Sequence, residues 1–194
     1  EVLKHPQETG IIYCMYRKTT EEVAEMLQNN GIKAMAYHGG LPTKERMEVQ
    51  NAFTSGQAHV VVATIAFGMG IDKSDVRFVI HHDLPKSIEN YYQETGRAGR
   101  DGKPSRCLGF YSEKDVKSYA RRFKDLNEGE RQRASHLLES MHDFVLSGTC
   151  RRAFVLRYFG EKVEHNSCLE NNTCDNCAQK HETTDLEEMA KEGE

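Results

Sequence analysis

Three side chains near the middle of the chain have the types and spacing needed to bind a phosphate. Gln93, Arg97 and Arg100 are four and then three residues apart, so a helix through them would place one amide and two guanidinium groups on one face. Gly96 and Gly99 lie on the neighbouring face. Because each glycine in a helix costs about 1 kcal/mol relative to alanine, the sequence predicts that something packs very close to them. The alternative is a solvated basic helix end followed by a glycine-rich turn.

A second set of reactive side chains lies near the end of the chain, where four of the six cysteines fall within residues 150–177. In a chain without a secretory signal, such a cluster indicates a metal site rather than disulfides. The two-residue spacing of Cys174 and Cys177 allows two thiolates to bind one zinc ion. Cys150 and Cys168 would complete a closed, structural tetrahedral site.

Two alternatives to this four-cysteine zinc site stay open. His165 or His181 can replace a cysteine as a ligand, and free or redox-active thiols are the competing interpretation. Residues 160–177 are polar and poor in core-forming side chains, so metal binding is expected to fold them. The two remaining cysteines, Cys14 and Cys107, lie in apolar, strand-like surroundings, which predicts buried thiols.

The charge of the chain is distributed unevenly. The formal net charge is -4, but residues 182–194 hold six carboxylates and one lysine. Residues 1–181 therefore carry about +1, with basic clusters that suit a polyanionic partner, although such clusters are most often solvated surfaces. No apolar run approaches membrane length and no signal segment is present at the start, so we expect a soluble intracellular fragment without membrane contact.

Strands and helices are predicted to alternate over about the first 125 residues, and these elements must position the side chains named above. Strands are predicted at 10–16, 33–37, 59–64, 77–81 and 106–111, and helices at 19–30, 42–53, 87–99 and 112–123, the last capped by Ser112. This alternation indicates an α/β fold with a parallel sheet covered by helices on both faces. The glycine-rich loop at 67–72 follows the third strand, at the edge of the sheet where ligands gather.

The pattern changes after this region. From Glu130 onward the sequence is helical without strands, so we place a boundary near residues 127–129. The predicted organisation is a sheet domain at 1–126, a small helical zinc-binding subdomain at 127–181, and an acidic tail or linker at 182–194.

Several motifs together resemble the RecQ family of superfamily 2 DNA helicases. They are Gln-Glu-Thr-Gly-Arg-Ala-Gly-Arg-Asp-Gly at 93–102, Ala-Thr-Ile-Ala-Phe-Gly-Met-Gly-Ile-Asp-Lys at 63–73, Tyr-His-Gly-Gly-Leu at 37–41, and Cys-Arg-Arg at 150–152 with the three later cysteines. The resemblance covers nearly all of residues 9–178. The gap between Cys168 and Cys174 is longer than the tightest bacterial spacing, which affects only the local loop.

The resemblance implies the second of two RecA-like lobes of a 3′ to 5′ DNA helicase, followed by the zinc subdomain. Neither a Gly-x-x-x-x-Gly-Lys-Ser/Thr phosphate loop nor an Asp-Glu-x-His motif occurs in the sequence. ATP and Mg²⁺ would therefore be held mainly by a first lobe of the same protein. The isolated chain is expected to show no meaningful ATP turnover.

The resemblance also implies roles for individual residues at the ATP site. Arg100, and as a second choice Arg97, would reach the triphosphate as an arginine finger. Gln93 would sense the γ-phosphate or the attacking water. Gly70 and Asp72 would lie near the nucleotide ribose.

Single-stranded and forked DNA are the implied partners, held through the phosphate backbone without sequence readout. The residues implied for this grip are Tyr13, Arg17, His38, Gly39, Thr64 and Lys73. A histidine at a strand end, such as His38, is more often a hydrogen-bonded core residue. Two other functions stay open: a non-catalytic zinc-stabilised DNA-binding module and an RNA helicase lobe. The family implies the nucleus in a eukaryote and the cytoplasm in a bacterium.

Overall fold

The computed structural model describes residues 2–68, 71–163, 168 and 173–178. The predicted ribose contact Gly70, the alternative ligands His165 and His181, and the predicted acidic tail at 182–194 lie outside the described residues. The chain divides into two compact units, Glu1–His142 and Asp143–Glu194, and each is described separately below.

The first unit is built on a five-stranded sheet. The strands are β1 (Gly10–Tyr13), β2 (Ala34–Tyr37), β3 (Val60–Ala63), β4 (Phe78–His81) and β5 (Arg106–Gly109). Their order is β2-β3-β1-β4-β5, and every pairing is parallel, as predicted. Tyr13 is in register with both Ala63 and His81. The carboxyl ends of the three central strands are therefore level at one edge of the sheet.

Helices connect β1 to β2, β2 to β3 and β4 to β5, and further helices follow β5. They are α1 (Arg17–Asn29), α2 (Thr43–Thr54), α3 (Ile88–Thr95), α4 (Glu113–Arg122), α5 (Glu128–Leu146), α6 (Arg151–Tyr158) and the short α7 (Asp175–Ala178). The Ser112 hydroxyl accepts the Lys114 amide at the start of α4, which confirms the predicted cap. No helix in the described part of the chain combines the length and apolarity needed to span a bilayer.

The alternating direction of strand side chains divides the core into two layers. Every residue of β1, β3 and β4 is buried, as expected for parallel strands covered on both faces. One layer contains Ile12, Val62 and Ile80 with Ala24 and Leu27 of α1. The other contains Ile11, Val61 and Val79 with Val49 and Phe53 of α2. The prediction of helices on both faces is confirmed.

The edge strand β5 departs from the prediction. It pairs only with β4, and Cys107 and Leu108 are exposed. The prediction that Cys107 is a buried thiol is therefore wrong, because no residue of β5 belongs to either of the two core layers. Cys14, at the end of the central strand β1, is buried as predicted. Burial and the nearby Asp83 charge raise the pKa of the Cys14 thiol to about 12.

Helix α3 is shorter than predicted. It ends at Thr95 with Gly96 as its C-cap, so the predicted single helical face carrying Gln93, Arg97 and Arg100 is wrong. The backbone turns because Gly99 adopts φ +65° and its amide donates to the Val76 carbonyl. A Cβ at Gly99 would lie 2.6 Å from the Ser105 hydroxyl oxygen. Close packing against this glycine, which the sequence predicted, is present in a turn rather than in a helix.

Helix α5 begins with a reciprocal cap. The Asn127 side chain accepts the Glu130 amide at 3.0 Å, and the Glu130 carboxylate accepts the Asn127 amide at 3.4 Å. The predicted boundary at 126/127 falls at this cap, whereas the compact units divide at His142, within α5. The boundary at residue 127 stays a prediction.

Candidate functional site

A cavity of about 760 Å³ opens at the level edge of the sheet, beyond the ends of β1 and β4. Four of the six residues predicted to grip DNA line it: Tyr13, Arg17, Gly39 and Thr64. The basic residues Lys18, Lys86 and Arg122 also line it, together with the acidic Asp83 and Glu94. Basic side chains around a concave surface raise the local concentration of anions. The cavity therefore suits a phosphate backbone.

The turn after β2 supplies Gly39 to the cavity and is shaped by His38. The buried His38 ring accepts the Gly40 amide at Nδ1 (3.2 Å), so its proton lies on Nε2, which donates to Glu21 at 2.9 Å. The guanidinium of Arg17 lies against Gly40, where an added Cβ would be 3.0 Å from Nη1. Within this structure, His38 holds the turn and Arg17 is the exposed cation beside it.

Tyr13 places its ring at the cavity while its hydroxyl points into the protein. The side chain is buried, and its hydroxyl donates to the Phe67 carbonyl at 3.3 Å. Its ring stacks on His81 with centroids 5.6 Å apart. Burial raises the pKa of the Tyr13 phenol well above its usual value. The hydroxyl therefore stays protonated and acts as a donor to the loop after β3.

The remaining predicted residues of the loop after β3 lie elsewhere. The Lys73 side chain is only 9% exposed, pairs with Asp75 at 3.1 Å, and holds its ammonium 5.7 Å from the Phe53 ring centroid. Lys73 does not line the cavity. Asp72 is exposed on the same loop.

The two motif arginines occupy different environments in the turn formed by residues 96–100, here called the arginine turn. Arg97 is half-buried and donates from Nη1 to the Gly68 carbonyl at 2.7 Å. Arg100 is exposed and donates from Nε to the Gly96 carbonyl at 3.1 Å. Gln93 is exposed in the last turn of α3. The structure therefore ties Arg97 to the Gly68 loop and leaves the Arg100 guanidinium facing solvent.

We expect Gly68→Ala to disrupt the contact between Arg97 and this loop. Gly68 has φ +141°, and an added Cβ would lie 2.2 Å from Arg97 Nη2. Such backbone strain costs about 1–3 kcal/mol, and displacement of Arg97 adds to it. Urea unfolding of the chain would measure the loss. Gly31→Ala is the matched control, because Gly31 has φ +78° with nothing within 4 Å. Equal losses in the two variants would contradict the steric part of the argument.

Sequence reasoning missed the partner of His81. Glu94 is 5% exposed and its carboxylate lies 2.8 Å from His81 Nε2, where His81 is 1% exposed. The available signal was the helical spacing of α3, because Glu94 follows Tyr91 by three residues and so falls on the inward side of the helix. A carboxylate at a core-facing position needs a buried partner.

The second unit brings the four predicted zinc ligands together. Cys150 precedes α6, Cys174 and Cys177 lie at α7, and Cys168 lies between these helices in sequence. The Cys168 sulfur is 3.1, 3.4 and 3.3 Å from those of Cys150, Cys174 and Cys177, and all four lie within 4.8 Å of one another without a disulfide. Tetrahedral zinc with 2.3 Å bonds needs sulfur–sulfur separations of about 3.8 Å. Four converging thiols therefore fit one zinc ion.

Two side chains outside the sulfur cluster hold α7 beside α6. Arg151 donates from Nε and Nη2 to both Asp175 oxygens at 3.0 Å, and this pairing keeps the pKa of Asp175 below its usual value. Asn176 donates to the carbonyls of Ser147 and Thr149. Arg151 is thus a structural residue of the second unit in this structure.

Family models match both parts of the chain. Residues 1–102 match the helicase conserved C-terminal domain. The chain belongs to the helicase C-terminal domain family. Residues 113–178 of this helicase domain match the RecQ zinc-binding model, so the resemblance to RecQ helicases is confirmed.

The curated relatives of this RecQ-type helicase domain come from eukaryotes and bacteria. It is 50% identical over 181 residues to the ATP-dependent DNA helicase hus2/rqh1 of Schizosaccharomyces pombe, covering 90% of the chain and 13% of the relative. It is 49% identical over 180 residues to the ATP-dependent DNA helicase RecQ of Pasteurella multocida, covering 91% and 27%. The chain therefore spans less than a third of the length of these relatives.

Solved structures confirm the RecA-like lobe fold. The chain resembles the E. coli DEAD-box protein SrmB with a TM-score of 0.53 and 28% identity, over 66% of this chain and 75% of that one. It also resembles Mycobacterium smegmatis helicase Lhr bound to ssDNA and AMP-PNP, with a TM-score of 0.52 and 26% identity, over 66% and 18%.

Proposed function

We propose that this chain is the second RecA-like lobe of an ATP-driven 3′ to 5′ DNA helicase, together with its zinc-binding subdomain. The observation that carries the proposal is the arginine turn, which follows α3 within a few residues of Glu94 at the cavity. The longer protein, in which a first RecA-like lobe precedes this chain, is here called the two-lobe protein. Closing and opening of the cleft between its lobes would move it along one DNA strand.

This chain would supply only part of the ATP site. No phosphate loop occurs in the sequence, so the first lobe would hold Mg²⁺ and the phosphates. Arg100, whose guanidinium is exposed, would reach the triphosphate as the arginine finger. Arg97 would position the Gly68 loop, and Gln93 would sense the γ-phosphate or the attacking water. Gly70 and Asp72 would approach the ribose.

The DNA grip would lie at the cavity. Arg17, Gly39 and Thr64 would contact the phosphate backbone, with Tyr13 forming the wall behind them. His38 would act through the turn that it holds. Lys73 would have to leave Asp75 to reach a phosphate. The likeness to a helicase bound to ssDNA and AMP-PNP supports a single strand as the ligand, and this electrostatic grip would be independent of base sequence.

Zinc would be bound by Cys150, Cys168, Cys174 and Cys177. The four sulfurs offer a closed set of soft ligands without an open position, so zinc would fold the second unit and take no part in ATP hydrolysis. In a eukaryote the helicase would act in the nucleus, and in a bacterium in the cytoplasm.

A comparison of the chain with the two-lobe protein tests the proposal. We expect the isolated chain to show no ATP turnover, because it lacks the Walker lysine. The two-lobe protein should hydrolyse ATP with strong stimulation by single-stranded DNA and should unwind forked DNA. Substantial hydrolysis by the pure chain would refute the assignment of the ATP cradle to a first lobe.

The nucleic acid that activates the two-lobe protein separates the competing functions. Stronger activation by single-stranded RNA than by DNA would favour an RNA helicase lobe. DNA binding without any stimulation of ATPase would favour a non-catalytic, zinc-stabilised DNA-binding module.

A further inference from the structure

The buried pair formed by His81 and Glu94 is an unusual feature of the first unit. His81 ends β4 and Glu94 lies in the last turn of α3, with Nε2 and the carboxylate oxygen 2.8 Å apart. Both residues are at least nine-tenths buried. Taking a carboxylate out of water is costly, and an apolar pair of similar volume is often at least as stable. The pair therefore needs an explanation other than stability.

The contacts around the pair form a closed circuit. The His81 ring stacks on Tyr13, with centroids 5.6 Å apart. The Tyr13 hydroxyl donates to the Phe67 carbonyl, and the next carbonyl, that of Gly68, accepts from Arg97. Arg97 follows Glu94 by three residues, so this series of contacts returns to the pair. Two strand ends, the Gly68 loop and the arginine turn are thus joined through side chains.

One side of this circuit faces the cavity. Tyr13, His81 and Glu94 all line it, beside Arg17 and Thr64. His81 Nδ1 is buried and has no hydrogen-bond partner among the described residues. Glu94 directly follows Gln93, which is exposed to solvent in the same last turn of α3. A change in the position of Glu94 would therefore shift the helix end that carries the phosphate-binding residues.

We propose that His81 and Glu94 are positioning residues that couple occupancy of the cavity by DNA to the placement of the arginine turn. The proposal rests on the proposed helicase function, because it explains how DNA would stimulate a site to which it is not bound. DNA in the cavity contacts Arg17 and Thr64 beside the Tyr13 ring, which stacks on His81. A displacement of His81 moves Glu94 through their contact. The movement of Glu94 in turn shifts Arg97 and Arg100 in the arginine turn. Neither residue contacts ATP in this mechanism.

Glu94→Gln in the two-lobe protein tests the coupling. The amide keeps the size of the side chain and a carbonyl acceptor for His81 but removes the charge. We expect DNA affinity and ATPase without DNA to stay within about two-fold of wild type. The stimulation of ATPase by saturating DNA should fall about ten-fold, which lies in the range by which residues between two sites alter coupling. His81→Gln should have the same effect, and the double variant should be no worse, because the residues act as one unit.

The neighbouring His82 provides a matched control. It is 44% exposed and contacts Asp83 rather than the pair, so His82→Gln should keep full stimulation. The proposal is overturned if folded Glu94→Gln keeps DNA stimulation within two-fold. It is also overturned if ATPase without DNA and DNA affinity fall together with the stimulation, as a purely structural role requires.

Amide hydrogen exchange on the isolated chain gives a readout that does not depend on helicase activity. In Glu94→Gln, the amides of residues 96–100 should exchange about ten-fold faster while those of β1 and β3 keep their protection. Unchanged exchange in the arginine turn would overturn the positioning role even if the two-lobe protein proved inactive. If DNA does not stimulate the ATPase of the wild-type two-lobe protein, but exchange in the arginine turn of Glu94→Gln is faster, only the proposed function is contradicted.

Discussion

Arg100→Ala in the two-lobe protein should lower its DNA-stimulated ATPase by about 10³-fold or more and abolish unwinding. The reason is electrostatic: an arginine finger neutralises charge that develops on the transferred phosphoryl group, and its removal costs about 10³ to 10⁵ in rate. Arg100 is exposed, and within the described part of the chain its hydrogen bond is the one from Nε to the Gly96 carbonyl. Its loss should leave the fold and the cavity unchanged. Steady-state ATPase, DNA affinity and zinc content would be measured on the same samples.

Two further arginine variants sharpen this test. Arg121→Ala removes an exposed arginine of α4 that does not line the cavity, and it should leave all three measurements unchanged. Arg97→Ala releases the Gly68 carbonyl, so it should lower ATPase and also destabilise the protein. ATPase retained in Arg100→Ala but lost in a folded Arg97→Ala would assign the finger to Arg97. Equal loss of ATPase and DNA affinity in Arg100→Ala would favour the binding-module alternative.

Cys174→Ser should reduce bound zinc from one ion per chain to nearly none and unfold the second unit. A serine hydroxyl is a poor zinc ligand at neutral pH. Metal binding contributes about 10 kcal/mol or more to the folding of zinc-finger peptides. Within the described residues, the other contacts of α7 with the α6 region are a few hydrogen bonds, chiefly from Arg151 and Asn176, and a small apolar cluster around Ala153. Metal analysis and limited proteolysis would follow the loss, and prolonged chelation of wild type should reproduce it.

Cys107→Ser is the control for the loss of a thiol without the loss of a ligand. Cys107 lies on the edge strand β5 of the first unit and is exposed, so the variant should keep one zinc ion and the proteolytic pattern of wild type. Retention of one tightly bound zinc ion in Cys174→Ser would contradict the four-cysteine site. It would indicate that a histidine such as His165 or His181 takes the fourth position.

The sequence predicted the sheet better than the ends of its elements. The unbroken β-branched run at Val60–Val62 and the regular alternation of strands and helices reflect burial on both faces, which is a strong local signal. The end of α3 was missed because the helical spacing of Gln93, Arg97 and Arg100 continues past Gly96. The turn depends on a bond from the Gly99 amide to the distant Val76 carbonyl, which leaves no local trace.

For the functional sites too, local sequence patterns were informative, whereas contacts between distant residues were not predicted. Cysteine spacing was enough to find the four sulfurs, because ligands of one ion must converge. The sequence did not reveal that Lys73 pairs with Asp75 or that His81 pairs with Glu94, because both contacts depend on how loops and helix ends meet in space. It also did not separate Arg97 from Arg100, which differ in their environment rather than in their type.

Helix α5 has a practical consequence for dividing this chain into fragments. It belongs to both compact units: Leu138 and Met141 are buried before His142, and Phe144 packs on Phe154 after it. A truncation at the division between the units would cut the helix in mid-course and discard its Asn127 cap. An expression clone for the cysteine-bearing region is better started at Asn127, where the helix retains its own first turn.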